Sequence, residues 1–245
     1  MMYSLLSGIT VVDISGSYSG PYCSMLLGDL GAEIIKVEQP GEGDDCRSWG
    51  PPFVNGESVW FLSANRNKKS VALDIRSEEG RSGLFKMVKE ADVFLGNFNP
   101  VTLDRLRLSY TEVSNINKRI VYCAISGFGN SGPYADRPGY DLIAQATSGI
   151  MSVTGEVNGR PQRVSTPISD ITTVILAAFS IVSALLARAR TGKGYYIDLS
   201  LLDTDIALMS PRIAAYLASG IEPKPCAGTD SVITIYQSLP TADRD

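Results

Sequence analysis

No histidine occurs in this chain, and that absence limits the chemistry its side chains can perform. Ser-His-Asp triads, Cys-His dyads and histidine-liganded metals are impossible within it. Any acid, base or nucleophile must come from Asp, Glu, Lys, Tyr, Cys or Ser. The candidate of most interest is Asp170, in Pro167-Ile168-Ser169-Asp170-Ile171, just ahead of a long apolar stretch. Two readings compete for it. A carboxylate at that position caps a helix, worth about 1 kcal/mol. It can also serve as a nucleophile, because a helix N-terminus favours the carboxylate and an apolar site excludes water. Local sequence alone favours the cap.

Other groups have weaker claims. Cys23, Cys46, Cys123 and Cys226 are far apart and form no CxxC pair, which points to reduced thiols rather than disulfides or zinc. Gly127-Phe128-Gly129-Asn130-Ser131-Gly132 is formally GxGxxG, but Pro133 and Pro138 spoil the helix that a dinucleotide site needs after it. A tight, permissive loop is the better reading. Thr191-Gly192-Lys193-Gly194 follows a helix, where the dipole repels anions, so it reads as a C-cap rather than a phosphate loop. Arg66, Lys68 and Lys69 in Asn65-Arg66-Asn67-Lys68-Lys69-Ser70 are either a solvated surface, which charge alone favours, or a seat for phosphates.

These groups must be held by an alternation of strands and helices. Ile9–Ile14, Glu33–Val37, Ser70–Asp74, Val93–Leu95, Ile120–Ile125 and Tyr196–Leu199 read as strands. Ser24–Leu30, Glu78–Ala91 and about Ile171 to Arg190 read as helices, the last a buried core helix. The alternation predicts an α/β fold: a Rossmann-like, mostly parallel sheet with helices on both faces. Gly127–Gly159 is rich in glycine and broken by one apolar segment, Leu142–Val153; such loops line ligand sites. Val232–Leu239 reads as a last strand without a partner, as if a second, smaller domain begins and is cut short.

Composition is ordinary for a soluble globular protein. The chain has 245 residues, 44% hydrophobic and 20% charged, and a net charge of −4. That balance argues against nucleic acid as a partner. No secretory signal is visible, and the run Ile171–Ala187 is shorter than the roughly 20 residues a membrane span needs. A cytoplasmic location with no membrane partner is expected.

Several motifs then match, in order, those of the family III CoA-transferases, the group of formyl-CoA transferase and carnitine CoA-transferase that also contains 2-methylacyl-CoA racemases. They include Leu6-Ser7-Gly8-Ile9, Gly20-Pro21, Leu27-Gly28-Asp29-Leu30-Gly31-Ala32, Ile35-Lys36-Val37-Glu38, Gly43-Asp44-Asp45 with Arg47 and Trp49, Asn65 to Ser70, Ala91-Asp92-Val93, Ser126-Gly127-Phe128-Gly129, Gly139-Tyr140-Asp141 and Thr191-Gly192-Lys193-Gly194. The resemblance runs over essentially the whole chain. It implies Asp170 as the catalytic residue. It implies coenzyme A contacts at Tyr18, Ser19, Gln39, Leu73, Asp74, Ile75, Arg76, Asn97, Phe98, Asn99, Arg105, Pro138, Gly139, Tyr140 and Asp141. Gln39 stands where the family often has arginine, and Pro138 where some members have lysine.

The resemblance also implies a large CoA-binding α/β domain over 1–200, a linker helix region over 201–225 and the incomplete start of a small domain over 226–245, in a C-terminally truncated chain. It implies an interlocked homodimer, acyl-CoA and carboxylic acid substrates, succinyl-CoA and dicarboxylates among them, and no permanently bound cofactor. The reaction it implies is CoA transfer through an aspartyl anhydride and an aspartyl-CoA thioester. The stretch near Gly228 resembles the closing loop of members that use dicarboxylates. Three other functions stay open: a 2-methylacyl-CoA racemase, whose histidine would stand where this chain has Tyr140; a non-catalytic CoA-binding or dimerising fragment; and a dinucleotide-binding oxidoreductase.

Overall fold

The computed structural model describes residues 4–229 and, beyond them, residues 233, 236, 238, 239 and 242. The expected strand Val232–Leu239 lies largely outside these residues, and most of the expected small-domain start lies there too. In chain order the elements are β1 (Thr10–Asp13), α1 (Ser19–Asp29), β2 (Glu33–Glu38), a small hairpin of β3 (Phe53–Val54) and β4 (Glu57–Ser58), α2 (Val59–Ala64), β5 (Lys68–Ala72), α3 (Glu78–Glu90), β6 (Val93–Gly96), α4 (Pro100–Leu106), α5 (Tyr110–Ile116) and β7 (Val121–Ser126). Then follow α6 (Asp141–Ser148), α7 (Ile150–Val153), α8 (Ile168–Thr191), β8 (Tyr195–Ser200), α9 (Leu201–Leu208) and α10 (Ser210–Ser219).

Six strands pair in the order β5-β2-β1-β6-β7-β8, all parallel. Side chains alternate across a strand, and the core divides accordingly. Val11, Val93, Leu95, Val121, Cys123 and Ile125 pack on one face with Leu27 of α1 and Val174, Ala177 and Ile181 of α8. Val12, Phe94, Tyr122 and Ala124 pack on the other with Leu84 and Val88 of α3, Leu103 of α4 and Val113 of α5. The expected two-faced α/β architecture is present.

Three expectations need correction. β5 starts at Lys68 rather than Ser70 and ends at Ala72 rather than Asp74; the Lys68 ammonium is buried instead of solvated, donating to the Pro21 carbonyl and Asn65 Oδ1 and pairing with Asp13. α8 begins at Ile168, so Asp170 lies inside its first turn rather than ahead of it. α8 is also only half a core helix: Ile175, Phe179 and Leu186 are exposed. It is long and apolar enough to cross a membrane, yet its other face packs on the sheet. The Thr191–Gly194 turn behaves as expected, with Gly192 at φ +73° and its N–H donated to the Arg188 carbonyl.

A buried polar cluster fixes the loop between β1 and α1. Asp13, fully buried, accepts from the Ser15 N–H (2.9 Å), from the hydroxyls of Ser15 and Ser24, and from Lys68 Nζ at 3.4 Å. Lys36 Nζ donates to the Ser15 carbonyl and pairs with Asp44, both at 2.8 Å. Asp44 accepts from the Ser17 N–H at 3.0 Å and so holds Ser17 at φ +64°, a left-handed conformation costly for a non-glycine residue. Burial raises the Asp13 pKa, but Lys68, Lys36 and the two serines outweigh it and hold the group below its usual value. Removing one member of such a cluster strands the opposing charges. Asp13→Ala should therefore lower the unfolding free energy by about 3–5 kcal/mol, measured by urea denaturation; a loss under about 1 kcal/mol would show that the cluster does not anchor this loop.

Candidate active site

The chain leaves β1 toward β2 and returns to the other side of β1 at β6. The loops after β1 and β6 therefore diverge and open a crevice at the carboxyl edge of the sheet, where doubly wound folds bind ligands. A cavity of about 1180 Å³ occupies that position. Asn97, after β6, bridges its two banks: its Oδ1 accepts the Gly16 N–H at 3.0 Å and its Nδ2 donates to the Gly16 carbonyl at 2.7 Å.

Asp170 and all fifteen residues expected to contact coenzyme A line this one cavity. They come from separate loops. Tyr18 and Ser19 follow β1, Gln39 follows β2, and Leu73, Asp74, Ile75 and Arg76 follow β5. Asn97, Phe98 and Asn99 follow β6, Arg105 lies in α4, and Pro138, Gly139, Tyr140 and Asp141 lead into α6. Some of these side chains already have structural work. Asn99 Oδ1 caps α4 by accepting the Thr102 N–H at 2.9 Å, and Arg76 pairs with Asp74 at 2.8 Å. Trp60 forms an aromatic wall with Tyr18 and Trp49. Gly127 and Gly139 touch so closely that a Cβ on Gly127 would lie 2.4 Å from the Gly139 Cα; this contact alone requires the first glycine of the GxGxxG stretch. No helix opens directly after that stretch.

The phosphate-seat reading of Asn65–Ser70 finds no place here. Arg66 pairs with Asp29, Lys69 with Glu33 and Lys68 with Asp13, and none of the three lines the cavity.

The first turn of α8 has no side-chain cap of its own. Asp141, from the start of α6, supplies it: Oδ1 accepts the Ser169 N–H at 2.9 Å and the Asp170 N–H at 3.4 Å. The capping role that local sequence favoured for Asp170 thus belongs to Asp141, and the Asp170 carboxyl is left to face the cavity. A third acid, Asp205 of α9, is fully buried and accepts from the Ser169 hydroxyl at 2.6 Å. Burial, then the charges of Asp141 and Asp205, push Asp170 up to about 7, against a hydrogen bond from Ser19 that favours the carboxylate. Cys46 and Cys123 are poor rival nucleophiles: burial raises both thiols to about 12. Among the described residues no group of His, Cys, Asp or Glu has the arrangement to hold a metal ion. Sequence reasoning passed over Asp205 and Arg163, which also lines the cavity; neither stands in a motif that would single it out.

A family model described as CoA-transferase family III matches residues 6–245. The chain belongs to this family. Relatives within CoA-transferase family III include a succinyl-CoA:glutarate CoA-transferase of Mus musculus, 44% identical over 97% of this chain and 55% of the relative. A succinate–glutarate CoA-transferase of Agrobacterium fabrum is 40% identical over 97% of this chain and 61% of its own length. The crystal structure of a CAIB/BAIF family protein from Brucella suis superposes with a TM-score of 0.91 at 43% identity, covering 98% of this chain and 64% of that one. The chain thus spans somewhat more than half the length of the curated relatives it matches.

A raised Asp170 pKa has a consequence for stability. Between its usual value of 3.8 and about 7 the folded protein binds more protons at this position than the unfolded chain, so its contribution to stability falls as pH rises through that window. Asp170→Asn should therefore be more stable than wild type at pH 8, with the advantage shrinking as pH falls toward 4, in paired denaturation curves. A difference that does not change with pH would contradict the raised pKa.

Proposed function

We propose that Asp170 is the nucleophile of a reversible CoA transfer between an acyl-CoA thioester and a free carboxylic acid. The observation that carries this reading is its placement: a carboxyl on the switch-point cavity, freed from capping by Asp141 and within reach of the Ser19 hydroxyl. Family membership supports it. The names of the relatives support succinyl-CoA and dicarboxylic acids as substrates.

The chemistry asks for a carboxylate nucleophile. A serine ester would be too stable and would trap the acyl group, whereas a mixed anhydride stays as reactive as the thioester. The Asp170 carboxylate attacks the acyl-CoA carbonyl and the C–S bond breaks, giving an aspartyl anhydride and CoA thiolate. The thiolate then attacks the aspartyl carbonyl and expels the donor acid, leaving an aspartyl-CoA thioester. The acceptor carboxylate attacks that thioester and releases the thiolate. The thiolate takes the acyl group from the second anhydride and restores Asp170. Backbone N–H groups of the loops after β1 and β7 would hold the oxyanions. The cavity must exclude water, which would hydrolyse either anhydride. The coenzyme A contacts in this reading are the fifteen loop positions around the cavity, with Arg76 and Arg105 as the cations for its phosphates.

The exposed apolar strip of α8, Ile175, Phe179 and Leu186, favours a homodimer that covers it, and the four free cysteines fit a reducing cytoplasm. A racemase would need a second base beside Asp170, and position 140 carries a tyrosine.

Only ionised Asp170 can attack. With an acyl-CoA substrate, kcat/KM should therefore fall about tenfold per pH unit below about pH 7 and level off above it. A profile flat down to pH 5 would contradict the assignment. Asp170→Asn should lower exchange by ~10³-fold or more while keeping the wild-type circular dichroism spectrum; a variant that still turns over would overturn it.

A further inference from the structure

Three carboxyl groups, Asp141, Asp170 and Asp205, converge at the first turn of α8. An acceptor acid must carry its own negative charge up to this turn, and a dicarboxylic acid carries two. Like charges brought together in a poorly solvated site repel strongly, so such an acceptor needs a cation close to Asp170. The cavity is lined by Lys36, Arg76, Arg105, Arg137 and Arg163. Lys36 is buried and tied to Asp44 and the Ser15 carbonyl. Arg76 is paired with Asp74, and Arg137 stacks on the Tyr134 ring at 4.2 Å. Arg105 lies in α4, after β6. Arg163 alone stands on the segment that runs directly into α8.

We infer that Arg163 binds the remote carboxylate of a dicarboxylic acceptor while the other carboxylate reacts at Asp170. The inference rests on the transferase reading above. The Arg163 guanidinium donates to the Ser165 carbonyl at 2.5 Å, and among the described residues no carboxylate pairs with it. Its remaining donors form the planar fork that fits a carboxylate.

Its backbone is also held in register with the nucleophile. The Val164 N–H donates to Gln145 Oε1 at 2.8 Å, and Gln145 Nε2 donates to Asp141 Oδ2 at 2.6 Å. Gln145 is fully buried. The other oxygen of the same Asp141 carboxylate caps the turn that carries Asp170. One side chain therefore sets both the attacking group and the residue beside the cation. That is how a site measures the distance between two carboxylates of a substrate.

The test compares glutarate with valerate, which has a methyl in place of the second carboxylate. In a ping-pong exchange, kcat/KM for the acceptor reports only the second half-reaction, so a fixed succinyl-CoA donor cancels. Arg163→Gln should lower kcat/KM for glutarate by about 10- to 100-fold, the size of a lost charge-assisted hydrogen bond, bringing it toward the valerate value. Valerate should change by less than about threefold. Arg163→Lys, which keeps the charge and loses the fork, should fall between the two. An unchanged glutarate value, or glutarate and valerate falling by the same factor, would overturn the assignment while leaving the transferase reading intact. If the wild-type protein exchanges CoA with no acid at all, the transferase reading fails and takes this inference with it.

Discussion

The carboxylate of Asp141 decides how the cavity end of α8 is built. A helix that begins with bare N–H groups at the edge of a cavity needs an acceptor, and the ordinary solution is a side chain just ahead of the first turn. Here the acceptor arrives from α6, and the acid at the third position of α8 is released from that duty. The arrangement has an electrostatic effect. Burial, and after it the two further carboxyl groups beside Asp170, push its pKa up to about 7, where a carboxylate keeps more basicity than an ordinary surface aspartate and is still ionised in good part at physiological pH.

The rest of the fold serves that turn. The strand order opens a crevice between β1 and β6, and the buried cluster of Asp13, Lys36, Asp44 and Lys68 keeps the loop after β1 in a strained shape that presents Tyr18 and Ser19 to the cavity. Loops after five of the six strands contribute to the lining, so the site is assembled from positions far apart in the chain. A single rigid sheet holds them in place.

Much of this was legible in the sequence. The central strands β6 and β7 are short runs without a charged residue between helical patterns, and buried parallel strands leave that signature. The residues that the ordered motifs single out line one cavity, because most of them sit in loops at the carboxyl ends of strands or in the first turns of the helices that follow. What failed did so for reasons of tertiary contact. The start of α8 was misplaced because its cap lies 28 positions away in the chain, where no local pattern can reveal it. Lys68 read as surface because a buried lysine is recognisable only with its partner, Asp13, 55 positions earlier. The exposure of Phe179 and Leu186 was hidden because an apolar helix that packs on one side has the same composition as one packed on both. Arg163 and Asp205 carried no motif, and their importance comes entirely from what stands beside them.

The central claim is that the Asp170 carboxylate becomes covalently engaged with the transferred group. It is tested most directly by giving the protein a succinyl-CoA donor and an acceptor acid labelled with ¹⁸O in its reacting carboxylate, stopping after one turnover and fragmenting the protein by mass spectrometry. In the anhydride route the bridging oxygen comes from the acceptor and stays on the enzyme, so one ¹⁸O should appear on Asp170. Label that passes to the product without entering the protein, or that enters at another residue, would contradict it.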